Sequence, residues 1–111
     1  MSEPKYLLHV TEADKWPRVL SNLGNLTALG LASRIRVMIN GTAIYVIQGD
    51  NDWTQAMQQA SEAGAIFEVC EKSLINHGID FNSIPNWITP IWAAVPVIAE
   101  HVAEGYTYIK P

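Results

Sequence analysis

The chain has 111 residues, with 7 Lys plus Arg against 11 Asp plus Glu and a formal net charge of −4. That length fits one domain with a real core and no need of disulfide staples. The acidic balance rules out a broad basic grip on nucleic acid and argues against docking on an anionic membrane surface, while 49% hydrophobic residues exclude disorder.

Residues 5–11 read as a strand whose apolar run suits cover on both faces. Between 16 and 29 the stripe Trp16, Val19, Leu20, Leu23, Leu26 and Leu29 predicts a helix, with Pro17 in its first turn and Gly30 after its end. Residues 34–39 form a second, β-branched strand. The runs 35–39 and 43–47 meet at Asn40-Gly41, which locally reads either as a hairpin or as the loop between a parallel strand and a short helix. A second helix spans 52–63, with Asp52 as its cap, Gln55 three residues on as in a capping box, and Gly64 as its stop. Residues 65–70 make a third strand, and 71–76 a short helix stopped by Gly78. A fourth strand covers 87–92. A helix follows over 93–104, with Pro96 in its first turn and Gly105 after it, then a last strand over 106–109. No repeat or linker interrupts the series. Strand and helix alternate throughout, which is the pattern of a parallel sheet with helices on its faces.

The longest apolar stretch, 90–99, is half a membrane span and contains Pro90 and Pro96. The first residues carry no basic region of the kind that opens a secretory signal. A soluble, cytoplasmic protein is the expectation. The single cysteine, Cys70, has no partner for an internal disulfide or a multi-thiolate metal site, and it suits a reducing compartment.

Cys70 is also the leading candidate for chemistry. It ends the third strand where a helix begins at Glu71, and ligands of open α/β sheets bind outside the carboxyl ends of the strands. First-turn N–H groups and the helix dipole favour a thiolate there, with Lys72 helping and Glu71 opposing. The competing reading makes Cys70 a small buried hydrophobe. Asn40-Gly41-Thr42 presents backbone N–H groups for an anion nest in the parallel reading and an ordinary turn otherwise. His77 and His101 read as structural or solvent-facing, and so does His9, which nevertheless stands where it could approach the strand ends. No histidine has the spacing of a metal site. Trp53, Trp87, Trp92, Phe67, Phe81 and Tyr45 either line a pocket or, as aromatics at this density more often do, belong to the core or a subunit interface; Trp87 and Trp92 are the pocket candidates, since they bracket the loop before the last helix. No dinucleotide, phosphate-loop or serine-hydrolase motif is present.

With these residues placed, the chain resembles the DsrE/DsrF-like family over nearly its whole length. The most specific stretch is Phe67-Glu68-Val69-Cys70-Glu71-Lys72-Ser73-Leu74-Ile75-Asn76-His77-Gly78-Ile79, with Cys70, Ser73, Leu74, Gly78 and Ile79 in place. The ending from Glu104 to Pro111 resembles the family as well, as do His9-Val10, Asp14-Lys15-Trp16 and the second strand leading into Asn40-Gly41. The resemblance implies a three-layer α/β/α fold with an open, mainly parallel sheet of about five strands. It favours a helix after Asn40-Gly41. It also implies assembly as trimers or hexamers, and, as in some members, a persulfide on Cys70. Lys72 replaces an expected Asn, and Ile91-Trp92-Ala93-Ala94 replaces a stretch that often carries a small polar residue.

The resulting expectation is a sulfur carrier or sulfurtransferase-like relay protein acting through Cys70, with a sulfur-donor or acceptor protein as partner and no cofactor. Asn40 and Gly41, with the N–H groups after Cys70, would stabilise the anionic sulfur, and His9, Glu71, Lys72, Ser73 and Trp92 would complete the pocket. The alternatives are a non-catalytic ligand-binding or scaffold oligomer and a thiol redox sensor. Composition itself points to a homo-oligomer, because 16% charged residues against about 25% in typical soluble proteins are too few to cover a monomer.

Overall fold

The computed structural model describes residues 3–111. Five strands, β1 (Lys5–Val10), β2 (Ile35–Ile39), β3 (Ile66–Cys70), β4 (Ile88–Ile91) and β5 (Tyr106–Ile109), form one sheet in the order β4-β3-β2-β1-β5. Every neighbouring pair is parallel. Four α-helices connect them: α1 (Trp16–Ala28), α2 (Asp52–Glu62), α3 (Glu71–Asn76) and α4 (Ala94–Ala103). The elements follow the alternation expected from the residues, and their ends differ by a residue or two.

The two faces of the sheet follow from the direction of each crossover. The first three connections step the same way across the sheet, from β1 to β2, β3 and β4, whereas β4 to β5 returns past all of them. Right-handed crossovers in opposite directions put their helices on opposite faces. Accordingly α1, α2 and α3 share one face. Trp16, Val19 and Leu23 of α1, Met57 and Ala60 of α2 and Leu74 of α3 pack there on Leu8, Val10, Val37, Ile39, Phe67 and Val69. Among the described helices α4 alone covers the other face, where Ala94 and Val97 meet Leu7, Met38 and Cys70. Leu7 and Leu8 therefore point to opposite cores, which is why apolar residues stand side by side in the middle of β1.

The Asn40-Gly41 ambiguity resolves as a 3-10 helix over Gly41–Ile47. Asn40 N–H still bonds to Val10 O at 3.1 Å, continuing the sheet, and Gly41 then turns the chain with φ +59°. Ala43, Ile44 and Ile47 fall on one side of that helix and are fully buried, and Trp16 Nε1–H donates to the Ala43 carbonyl at 3.0 Å. Burial of that apolar side outweighs the strand preference of Ile44, Val46 and Ile47.

One cap is not where the sequence placed it. Asn51, not Asp52, caps α2: its Oδ1 accepts from Trp53 N at 2.8 Å and Thr54 N at 2.9 Å. Thr54 Oγ1 accepts from Asn51 N in return, so Thr54 and not Gln55 closes the capping box. The reason is backbone geometry, since Asn51 is extended while Asp52 is already helical. Asp52 then adds a negative charge to the first turn, where it is favourable.

Candidate functional site at the end of the third strand

Cys70 lies at the point where the two kinds of crossover part. The chain leaves β3 into α3 on one face and leaves neighbouring β4 toward α4 on the other, and Cys70 is paired with Ile91 in register. Adjacent strand ends whose connections diverge leave a crevice, which is where open α/β sheets bind ligands. The Cys70 side chain points to the α4 face and packs with Ala94, the first residue of α4. It is a free thiol and the residue is 5% exposed.

Helix α4 starts without a side-chain cap, because its N-cap is Ala93. Its first N–H groups thus lack the usual internal acceptor, and Pro96 removes one of them. Cys70 is itself the N-cap residue of α3. Its sulfur makes no cap hydrogen bond to α3, because the side chain points to the α4 face and packs with Leu7, Met38, Ala94 and Val97.

The neighbouring strand end supplies the polar side. Met38 pairs with Glu68 and Ile39 with Val69, so Asn40 and Cys70 come next on adjacent strands and leave the sheet on the same face. Asn40 Oδ1 is 2.9 Å from His9 Nε2, and His9 Nδ1 is 2.7 Å from the Tyr108 hydroxyl. Burial holds the His9 imidazole below its ordinary pKa of 6.5; the Asn40 hydrogen bond opposes this and the charge of Lys110 adds to it. Lys110 Nζ in turn donates to Thr11 Oγ1 at 3.1 Å. Gly41 N–H points across to α3 and donates to Ser73 Oγ at 3.1 Å, fixing the loop after β2 against the helix after β3.

The expected pocket residues are therefore not one shell. Asn40 and His9 share the Cys70 face. The Gly41 N–H is taken by Ser73, so those two act as a brace between loops and not as open anion donors. Glu71 is half-buried and Lys72 is exposed, each on the α3 side of the crevice. Trp92 is 59% exposed at the junction of β4 and α4, outside the core that holds Cys70. Trp87 belongs to the opposite face, edge-on to Phe67 with ring centroids 5.4 Å apart. It borders a cleft of about 330 Å³ with Asp50, Thr54, Gln58 and Ser83, which does not include Cys70. Tyr108 and Lys110 were not anticipated, since only the placement of β5 beside β1 brings them to His9. Among the described residues no group of three His, Cys, Asp or Glu is arranged to hold a metal ion. No described helix is long and apolar enough to cross a membrane.

Two solved structures share this architecture. A protein of unknown function from Methanobacterium thermoautotrophicum superposes with a TM-score of 0.87 at 22% identity, over 98% of this chain and 100% of that one. A conserved protein of unknown function from Bacteroides thetaiotaomicron gives a TM-score of 0.78 at 18% identity, over 96% of this chain and 94% of that one. No curated protein matches the chain. Residues 10–111, which include every strand end described above except His9, match the DsrE/DsrF-like family, and the chain belongs to that family.

Proposed function

We propose that the protein is a sulfur carrier that holds a persulfide on Cys70 within a sulfur relay. The observation that supports this reading is the position of Cys70 at the carboxyl end of β3, where the β3 and β4 connections diverge to opposite faces, against the uncapped start of α4. In loading, the Cys70 thiolate attacks the outer sulfur of a donor persulfide. The donor S–S bond breaks, its electron pair leaves on the donor thiolate, and Cys70–S–SH forms. Delivery is the same exchange in reverse, with an acceptor thiolate attacking the outer sulfur and Cys70 leaving as thiolate. With no second cysteine in the chain, Cys70 lacks an internal resolving thiol, so both donor and acceptor are other molecules. Such a carrier operates in a reducing compartment, which fits a cytoplasmic setting.

The same reading includes self-association. Val95, Ala99 and Val102 follow helical spacing along the outer side of α4, with Trp92 just before its start, and Val95 is 76% exposed. An apolar stripe of this kind fits a second copy of the chain, in a trimer or hexamer, and it starts at the residue beside the Cys70 crevice. Incubation with a low-molecular-weight persulfide, followed by intact mass measurement, tests the carrier role. Gain of one sulfur on wild type and none on Cys70→Ser supports it. A Cys70 that stays alkylatable yet gains no sulfur removes it, and leaves a ligand-binding or scaffold role.

A further inference from the structure

The face of the sheet opposite Cys70 carries a cleft of about 330 Å³, a size suited to a small molecule. It opens between the loop before α2 and the loop before β4. Gly49 N–H donates to the Ser83 carbonyl at 2.7 Å and ties the two loops together. Each loop is also fixed on its own. Asn51 Nδ2 donates to the Val46 and Gln48 carbonyls at 3.1 and 3.2 Å, and Asp80 Oδ1 accepts from Asn82 N at 2.9 Å. The floor is apolar, since Ile84 and Trp87 pack against the core. The cleft is therefore formed before any ligand arrives.

Four polar groups at its edge are unengaged among the described residues. Trp16 gives its indole N–H to the Ala43 carbonyl, but the Trp87 N–H has no acceptor in the chain. The side-chain amides of Gln58 and Asn82 have no partner there. Asp50 Oδ1 accepts from Gln55 Nε2 at 3.1 Å, which orients the carboxylate and leaves Oδ2 free. Among the described residues Asp50 is the only charged one that lines the cleft. An anion would meet that carboxylate. It would also find the start of α2 closed, because Asn51 Oδ1 already takes the Trp53 and Thr54 N–H groups. A cation meets the carboxylate, two amide oxygens and an aromatic ring. Guanidinium suits these partners better than ammonium. It is planar, weakly hydrated and stacks on aromatic rings, and its N–H donors spread over a rigid fork. An ammonium ion is more strongly hydrated and gathers its donors at one point.

We propose that this cleft is a binding site for a guanidinium group, held by Asp50 Oδ2 and the Gln58 and Asn82 amide oxygens against Trp87. The site is separate from Cys70 and does not rest on the carrier reading.

The test titrates the 15N-labelled full chain with millimolar ethylguanidinium and follows the Trp87 indole N–H signal. A saturable shift is expected there. Asp50→Asn should weaken it about tenfold, the value of one hydrogen bond between charged groups. Asp50 is exposed, and an Asn can still accept from Gln55, so that variant keeps the fold. Asp52→Asn removes the same charge from a neighbouring residue outside the cleft and should leave binding unchanged. Ethylammonium should bind more weakly, and acetate not at all. A blocked Gly-Arg-Gly peptide separates the two sources of the group. Tighter binding than ethylguanidinium supports the site with an arginine side chain as its ligand, and weaker binding supports it with a free small molecule. The absence of a saturable Trp87 shift overturns the proposal. So does equal weakening in Asp50→Asn and Asp52→Asn, which would make the effect one of general charge.

Discussion

His101 Nε2 lies 2.8 Å from Glu68 Oε1, joining the outer helix α4 to the middle of the sheet. The other Glu68 oxygen takes Arg36 Nη1 at 3.2 Å, and Arg36 Nε–H donates to the Tyr106 hydroxyl at 3.0 Å. Glu68 and His101 are both buried, so this cluster sits inside the layer between α4 and the sheet, next to the core that includes Cys70. Removing one partner of a buried pair leaves the others charged or polar without an acceptor. Glu68→Ala is therefore expected to lower stability by about 3 kcal/mol, measured by urea unfolding. Because α4 also covers Cys70, the same variant should speed Cys70 alkylation under native conditions. Unchanged unfolding would show that the cluster does not hold the helix.

Gly41 and Gly24 predict opposite outcomes for the same change. Gly41 has φ +59°, and a Cβ there would overlap the Thr11 carbonyl oxygen, a backbone atom that cannot step aside. Gly41→Ala is expected to cost about 2 kcal/mol or more and to loosen the brace that Gly41 N–H makes to Ser73 Oγ. Gly24 lies within α1, with nothing within 4 Å of its Cβ position. Gly24→Ala is expected to add roughly 0.5–1 kcal/mol through helix propensity. Thermal unfolding of the two variants side by side checks both signs.

Acidification should weaken the fold in two separate steps. Burial keeps the His9 pKa below 6.5, so the folded chain binds fewer protons than the unfolded one just below that pH. Stability is then complete above 6.5 and declines as pH falls beneath it. Glu104 is held below 4.5, chiefly by its hydrogen bond to His101, so its contribution is present above 4.5 and is lost as pH falls through its folded value. His9→Gln is expected to flatten the first decline and leave the second, and Glu104→Gln the reverse. Unfolding midpoints measured across the two pH ranges separate them.

The alternation of strand and helix was legible because each element carries its own period, as in the Trp16, Val19, Leu23 stripe or the β-branched run of β2. Cys70 at a strand end was legible for the same reason. The cap of α2 was less so: Asn51 and Asp52 are adjacent and both are good capping residues, and only the backbone bend at Asn51 decides between them. The segment after Asn40 was undecidable locally, since β-branched residues and helical spacing disagree there and burial against Trp16 settles it. Strand order is a property of the whole chain. The contact between His9 and Tyr108 spans 99 positions, and no local pattern points from one to the other. The polar half of the candidate site was hidden for that reason, and so was the pairing of His101 with Glu68.

The outer side of α4 leads to the last prediction. A helix on the surface of a monomer turns polar residues outward, but here Val95, Ala99 and Val102 face outward, with Val102 46% exposed and Trp92, just before the helix, 59% exposed. Glu100 and Glu104 lie beside the stripe and not within it. Among the described residues this helix is the only one on its face of the sheet, and no second described helix covers it. An uncharged stripe rimmed by carboxylates has the composition of a homomeric contact, with an apolar centre and a polar rim. Light scattering at micromolar concentration is expected to give a trimer or hexamer for wild type. Val95→Glu should shift the mass toward monomer while leaving the circular dichroism unchanged, since Val95 is exposed and contributes little to the core. Because the stripe begins just after Trp92, beside the crevice, association should also shield Cys70, and alkylation should be faster in the Val95→Glu monomer than in the assembly. A wild type that remains monomeric across that concentration range would remove the stripe as a self-contact.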